Sequence, residues 1–159
     1  MAQLQDEVFI DEIRRVKQTA FGVAYLILKN TSDCEDAMSA AIEKAYRHFD
    51  TLQQQSRFRA WFLQILRNEA YAILRQRRRF FVTSEMPEGP SSAETDPSRS
   101  LDLRAALMQL SESKRNALYL WQEGYSMDEI SMILNAPAGT VKSRIARAKE
   151  ALRQYLEVD

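Results

Sequence analysis

The chain has 159 residues, 45% hydrophobic and 28% charged, with zero formal net charge, which suits one domain or two small ones with buried cores. Four glycines and four prolines, one cysteine (Cys34) and one histidine (His48) exclude collagen-like and disulfide-stapled classes and leave no protein-built zinc site. No apolar run approaches the roughly 18–20 residues of a membrane span, and residues 1–12 hold four acids and no base, so no secretory leader is expected.

Apolar periodicity predicts helices almost throughout. Val8, Phe9, Ile13, Val16, Ala20, Phe21, Ala24 and Ile27 recur at three- and four-residue intervals, as one buried stripe requires. Lys29 and Asn30 fit the end of that helix. Ser32 and Glu35 read as a capping box for a second helix, whose inward stripe is Ala37, Met38, Ala41, Ile42, Ala45, Tyr46 and Phe49. Residues 50–55 show no pattern and read as a polar loop. Ser56 then caps a third helix with Phe58, Trp61, Phe62, Ile65, Leu66, Ala70, Ile73 and Leu74 inward. Its end carries four arginines in residues 75–79, more than the helix dipole calls for.

Residues 83–100 (TSEMPEGPSSAETDPSRS) hold three of the four prolines and read as a flexible acidic linker. It divides the chain into a first part, residues 1–82, and a second, residues 101–159. The second part reads as four shorter helices: residues 101–109; residues 112–123, stopped by Gly124; a third opened by the capping box Ser126/Glu129; and a long last helix capped by Thr140. Residues 135–139 (NAPAG) break the last two apart. The fold class expected is all-α, two small helical domains joined by a linker, the second containing a helix-turn-helix.

The charges cancel in sum but not in place. Residues 57–79 hold seven arginines against Glu69 alone, and residues 142–153 hold five basic residues against Glu150 alone. Residues 85–96 hold four acids and no base. Solvated helix faces or nucleic-acid contact would each account for such stripes. The last helix favours the second. At about 100° per residue, Val141, Ile145, Ala148 and Leu152 fall on one side. Ser143, Ala146, Arg147 and Glu150 fall opposite, with Lys142 and Arg144 on the flanks. The second helix of such a motif enters the major groove. Arg147 can pair bidentately with guanine, and Lys142 and Arg144 can hold phosphates. The alternative is a helical hairpin with no DNA role.

Residues 138–149 (AGTVKSRIARAK), with 125–131 (YSMDEIS) and 110–115 (LSESKR), resemble the promoter −35 reader of the extracytoplasmic-function sigma factors of bacterial RNA polymerase, in the sigma-70 family. Residues 33–38 (DCEDAM) and 42–47 (IEKAYR) resemble that family's polymerase-docking helix. Residues 56–68 (SRFRAWFLQILRN), followed by Leu74 and Arg75, resemble its −10 recognition and melting element. The resemblance runs in order from Phe21 to Leu156.

The resemblance implies a sigma factor that binds core polymerase and directs promoter recognition and strand opening, working in the cytoplasm. The expected −35 contacts are Thr140, Lys142, Ser143, Arg144, Ala146 and Arg147. The −10 and melting contacts are Gln54, Ser56, Arg59, Arg67, Asn68, Arg75, Arg77 and Arg78, with loop residues 51–56 lining a pocket for a flipped base. The polymerase contacts are Asp36, Ser39, Ala40, Glu43 and Arg47. The family commonly carries Gln-Glu where this chain has Ser39-Ala40, which removes a charge and an amide from that face. The implied partners are core RNA polymerase, promoter DNA and an anti-sigma factor, with no membrane contact of the chain's own. No cofactor, metal site or enzymatic activity is expected, since no nucleophile–base pair, phosphate loop or ligand spacing occurs. A decoy that sequesters an anti-sigma factor, or a conventional helix-turn-helix regulator, is the alternative.

Energetics favour a division of labour. Duplex stacking averages about 1.4 kcal/mol per step, so opening about ten base pairs costs on the order of ten kcal/mol or more. Stacking one displaced base on protein returns about 1–3 kcal/mol. A chain this small can capture one or two bases while a larger partner holds the bubble.

Overall fold

The computed structural model describes residues 2–82 and 100–157, and side chains over residues 2–79 and 105–154. The described residues are helical, and contacts divide the chain into two units. The expected linker, apart from Ser100, lies outside the described residues, and Ser100 itself opens a helix.

Unit 1 is a three-helix bundle of α1 (Ala2–Leu28), α2 (Thr31–Arg47) and α3 (Phe58–Val82), each packed on the other two. The expected stripes supply most of its core, joined by Val23 and Leu63, which lie outside them, while Val8, Ile13, Phe21, Ile65, Ile73 and Leu74 are only half-buried. Phe9, Val16, Ala20, Val23, Ala24 and Ile27 of α1 meet Ala37, Met38, Ala41 and Ala45 of α2 and Phe58, Phe62, Leu63, Leu66 and Ala70 of α3, all buried. The small residues of α2 let the helices approach closely. Phe58 is the hub at one end of the bundle. Its ring lies 5.8 Å from Phe9, 5.8 Å from Phe49 and 5.9 Å from Phe62, edge-on to the first two and stacked with the third. Such pairs add about 0.5–1.5 kcal/mol each beyond the area they bury. Tyr46, expected inward on the α2 stripe, is exposed instead. Its ring meets Phe9 edge-on, and its hydroxyl donates to Asp6 Oδ1 at 2.8 Å.

Three expected caps are placed differently. Lys29 turns left-handed at φ 58° and ends α1, leaving only Asn30 before the next helix. Asn30 is extended (φ −149°) and its Oδ1 accepts from Asp33 N at 2.9 Å, so Asn30 is the cap of α2. Ser32 is already helical and cannot serve. Ser56 lies inside a short 3₁₀ turn, Gln55–Arg57, that runs directly into α3. A second such turn, Phe49–Thr51, occupies the start of the expected loop. Thr140 lies in the first turn of the last helix, because the Pro137 carbonyl already accepts from Val141 N at 3.0 Å.

Unit 2 comprises α4 (Ser100–Gln109), α5 (Glu112–Gln122), α6 (Met127–Leu134) and α7 (Ala138–Glu157). Helices α4, α5 and α6 all pack on α7. Gly124 takes φ 91° at the end of α5, a backbone that only glycine adopts without strain. The capping box at α6 forms as expected: Glu129 N donates to Ser126 Oγ at 3.1 Å and Ser126 N to Glu129 Oε1 at 3.0 Å. The break before α7 is short. Asn135 is left-handed at φ 52°, Ala136 N donates to Ser131 O at 3.1 Å, and the Ser131 hydroxyl donates to the Ala136 carbonyl. No helix among the described residues is long and apolar enough to cross a membrane.

Candidate functional site

The last two helices of unit 2 set the first surface. Val141, Ile145 and Ala148 are at most 3% exposed, which locks the rotation of α7 about its axis. The opposite side therefore faces solvent. Thr140, Lys142, Ser143, Ala146 and Arg147 are exposed and Arg144 is half-buried. Among the described residues no carboxylate lies within ion-pair distance of Lys142, Arg144 or Arg147. Three cations beside two short side chains, Ser143 and Ala146, make a convex surface able to enter a groove and meet negative charge.

Arg115, the last residue of the 110–115 stretch, ties α5 to the end of α4, a role the sequence pattern did not indicate. It is only 7% exposed. Its Nε donates to Leu107 O at 3.0 Å and its Nη2 to Leu110 O at 3.0 Å and Met108 O at 3.4 Å. These carbonyls belong to the end of α4 and the residue after it, groups a helix terminus leaves without internal partners. Its neighbour Lys114 keeps more exposure, and only the direction of the Arg115 side chain, toward the apolar side of α5, separates the two. Tyr119 on the same helix has its phenol pushed up to about 12, by burial first and then by Glu123 and Tyr125.

In unit 1, α3 presents a second basic surface. At about 100° per residue, Gln64, Asn68, Tyr71 and Arg75 share the side opposite the buried Phe62, Leu66 and Ala70. Asn68, Arg75, Arg78 and Arg79 are exposed. Arg67 is half-buried, its guanidinium 4.9 Å from the centre of the Tyr71 ring. Arg77 stands apart from this face. It points toward the start of α2 and pairs with Asp33 at 2.5 Å. Arg59 is exposed in the first turn, on a different side from Asn68 and Arg75. Trp61, expected as core, is half-buried against Phe58, ring centres 5.7 Å apart.

The joint between α2 and α3 forms a hollow with the first turns of α1. Gln5, Gln53, Gln55 and Asp50 line it with Leu4, Val8, Phe49 and Leu52, giving about 560 Å³ lined by apolar side chains, three amides and one carboxylate. Gln55 Nε2 also donates to Glu12 Oε1 at 3.2 Å, tying the joint to α1. Gln54 and Ser56 are exposed beside it.

The third surface lies along α2. Asp36, Ser39, Glu43 and Arg47 are exposed in one row with half-buried Ala40, and Glu43 and Arg47 form an ion pair. Ser39 and Glu43 also line a groove of about 560 Å³ between α1 and α2, with Asp6, Phe9, Ile10, Ile42 and Tyr46. Ile10 and Tyr46 are 46% and 53% exposed, so the row has an apolar neighbour that helical spacing alone did not single out. Cys34, inside the same helix, is fully buried and its thiol is pushed up to about 11, chiefly by that burial, which makes it a poor nucleophile.

The Sigma-70 region 2 family matches residues 12–80 and the Sigma-70, region 4 family matches residues 100–152. The ECF RNA polymerase sigma-E factor of Escherichia coli (strain K12) is 30% identical, over 94% of this chain and 93% of its own length. The ECF RNA polymerase sigma factor SigW of Bacillus subtilis (strain 168) is 27% identical, over 94% of this chain and 89% of its own. Among solved structures, the sigma factor RpoE in complex with the anti-sigma factor NepR from Bartonella quintana is similar with a TM-score of 0.76. It is 28% identical and covers 95% of this chain and 98% of that one.

Proposed function

The chain belongs to the extracytoplasmic-function sigma factors of bacterial RNA polymerase, non-enzymatic factors that direct transcription initiation, and from that premise we propose how its surfaces divide the work. Residues 101–159 read the −35 element through α7. Arg147 contacts a base edge, Ser143 and Ala146 permit close approach, and Thr140, Lys142 and Arg144 hold the backbone. Residues 1–82 bind core polymerase and capture the −10 strand, and residues 83–100 connect the two. Asn68, Arg75 and Arg78 follow the displaced strand along α3, with Arg67 beside it, while Arg59, on another side of the first turn, does not join that path. Arg77 serves from behind, fixing the basic end of α3 against Asp33. The hollow lined by Gln53 and Gln55, with Gln54 and Ser56 at its edge, takes one unstacked base.

Core polymerase docks on the row Asp36, Ser39, Ala40, Glu43 and Arg47. The adjoining groove compensates for the missing Gln-Glu pair by offering Ile10 and Tyr46 as apolar anchors. The place of action is the cytoplasm, where the polymerase is. An anti-sigma protein that covered the α2 row and the α7 face would silence both steps at once.

The observation that carries this reading is α7: its core side is locked and its outer side presents three cations with no carboxylate partner among the described residues. The test is to mix the purified chain with core polymerase and transcribe templates whose start sites were mapped after overexpression in cells. Co-elution with core and transcripts from the mapped starts are expected. Separate elution at micromolar concentration, with no transcript above core alone, would overturn it.

A further inference from the structure

Trp121 is the last residue but one of α5 and is 40% exposed, an unusual position for the largest side chain in a small domain. Its ring is not idle. The Lys149 ammonium lies over it, 3.4 Å from the ring centre. Lys149 is itself exposed, and no carboxylate pairs with it among the described residues. The neighbouring Glu150 is engaged by Arg153 at 2.7 Å and Gln154 at 3.4 Å. A lysine on a flexible four-carbon stem is costly to fix in place, and an aromatic face holds the charge without neutralising it.

The position of Lys149 on α7 is also informative. At about 100° per residue it lies within about 20° of Lys142, with exposed Ala146 between them on the same edge. Seven residues separate the two lysines along about 10 Å of helix, so they reach different phosphates rather than share one. A helix lying in a groove has a sugar–phosphate strand along its edge. We infer that Lys149, held by Trp121, is a backbone-gripping residue that fixes α7 on the phosphodiester strand without reading sequence, Trp121 acting as its positioning residue. This rests on the −35 reading of α7.

The test uses the full chain assembled with core polymerase and two labelled duplexes: one selected from a random pool by the wild-type assembly, one a scramble of it. Affinity is measured as a function of salt. Lys149→Gln is expected to weaken both duplexes alike, by about fivefold, and to lower the salt slope by about 1. Trp121→Ala is expected to produce a similar loss, and Trp121→Phe, which keeps a ring, to restore most of it. Circular dichroism melts confirm that each variant folds. If Lys149→Gln changes neither affinity nor slope while Arg147→Ala abolishes discrimination, this inference is wrong and the −35 reading stands. Weakening confined to the selected duplex would make Lys149 a base reader and overturn it too. Trp121→Ala binding as wild type would remove the positioning role. If Arg147→Ala leaves discrimination intact, the −35 reading itself has failed.

Discussion

The two units spend their positive charge differently. In unit 1 part of the charge is tied into the fold, Lys44 pairing with Glu69 across α2 and α3 at 3.0 Å, Arg77 with Asp33 at 2.5 Å and Arg47 with Glu43 along α2, while Arg75, Arg78 and Arg79 stay exposed at the end of α3. In unit 2 the buried Arg115 serves backbone carbonyls, and among the described residues no carboxylate pairs with Lys142, Arg144 or Arg147 on α7. The lesson is that a neutral total says little. Charge that closes helix joints cannot also displace counterions from DNA, whereas unpaired charge on a locked helix can.

The largest effect expected from breaking this contrast lies in the core of unit 1. Phe58→Ala should cost that unit about 3–5 kcal/mol, because the side chain is fully buried and touches the rings of Phe9, Phe49 and Phe62. Separate thermal transitions, followed by hydrogen exchange, should show the loss in residues 2–82 and not in unit 2. In unit 2 the counterpart is Arg115→Ala. It leaves buried carbonyls at the end of α4 without a donor and should cost about 2–3 kcal/mol, read as faster exchange in residues 105–122. A merely solvated arginine would leave exchange there unchanged.

Surface charge on α7 should matter for binding and not for folding. Arg147→Ala should reduce discrimination between a selected and a scrambled −35 duplex by about 1–3 kcal/mol, with the melting temperature unaltered. Equal loss on both duplexes would mean that Arg147 positions rather than specifies.

The smallest effect is alkaline. Cys34 and Tyr119 both titrate higher in the folded chain, to about 11 and about 12, than their ordinary values of 9.0 and 10.0. Unfolding therefore releases a proton from each, so the stability they contribute is full below the ordinary value and fades as pH rises through the folded one. Unit 1 should begin to weaken near pH 9 and unit 2 near pH 10. Cys34→Ser should remove the earlier onset, as measured by denaturant midpoint against pH.

Sequence periodicity located the helices well wherever a stripe was continuous, as in α3 and α7, because burial on one side fixes both the pattern and the rotation. It missed where backbone geometry decided. Asn30 caps α2 because Lys29 goes left-handed, and no residue pattern distinguished it from Ser32. Pro137 displaced Thr140 for the same kind of reason. On the candidate faces, Lys142, Ser143, Ala146 and Arg147 stand on one surface as the helical wheel implied. Arg77 does not join Arg75, because two residues along a helix turn it by about 200°; its partner Asp33, on another helix, was not legible, since only packing brings the two together. The groove beside Ser39 and Glu43 was hidden likewise, since Ile10 and Tyr46 come from different helices.

The most direct test of the account compares duplex binding by the isolated chain and by the chain on core polymerase, at physiological salt, on a duplex carrying both promoter elements. Weak, sequence-indifferent binding alone and tight, selective binding with core are expected. Nanomolar, selective capture of the duplex by the isolated chain, unchanged by core, would contradict the account.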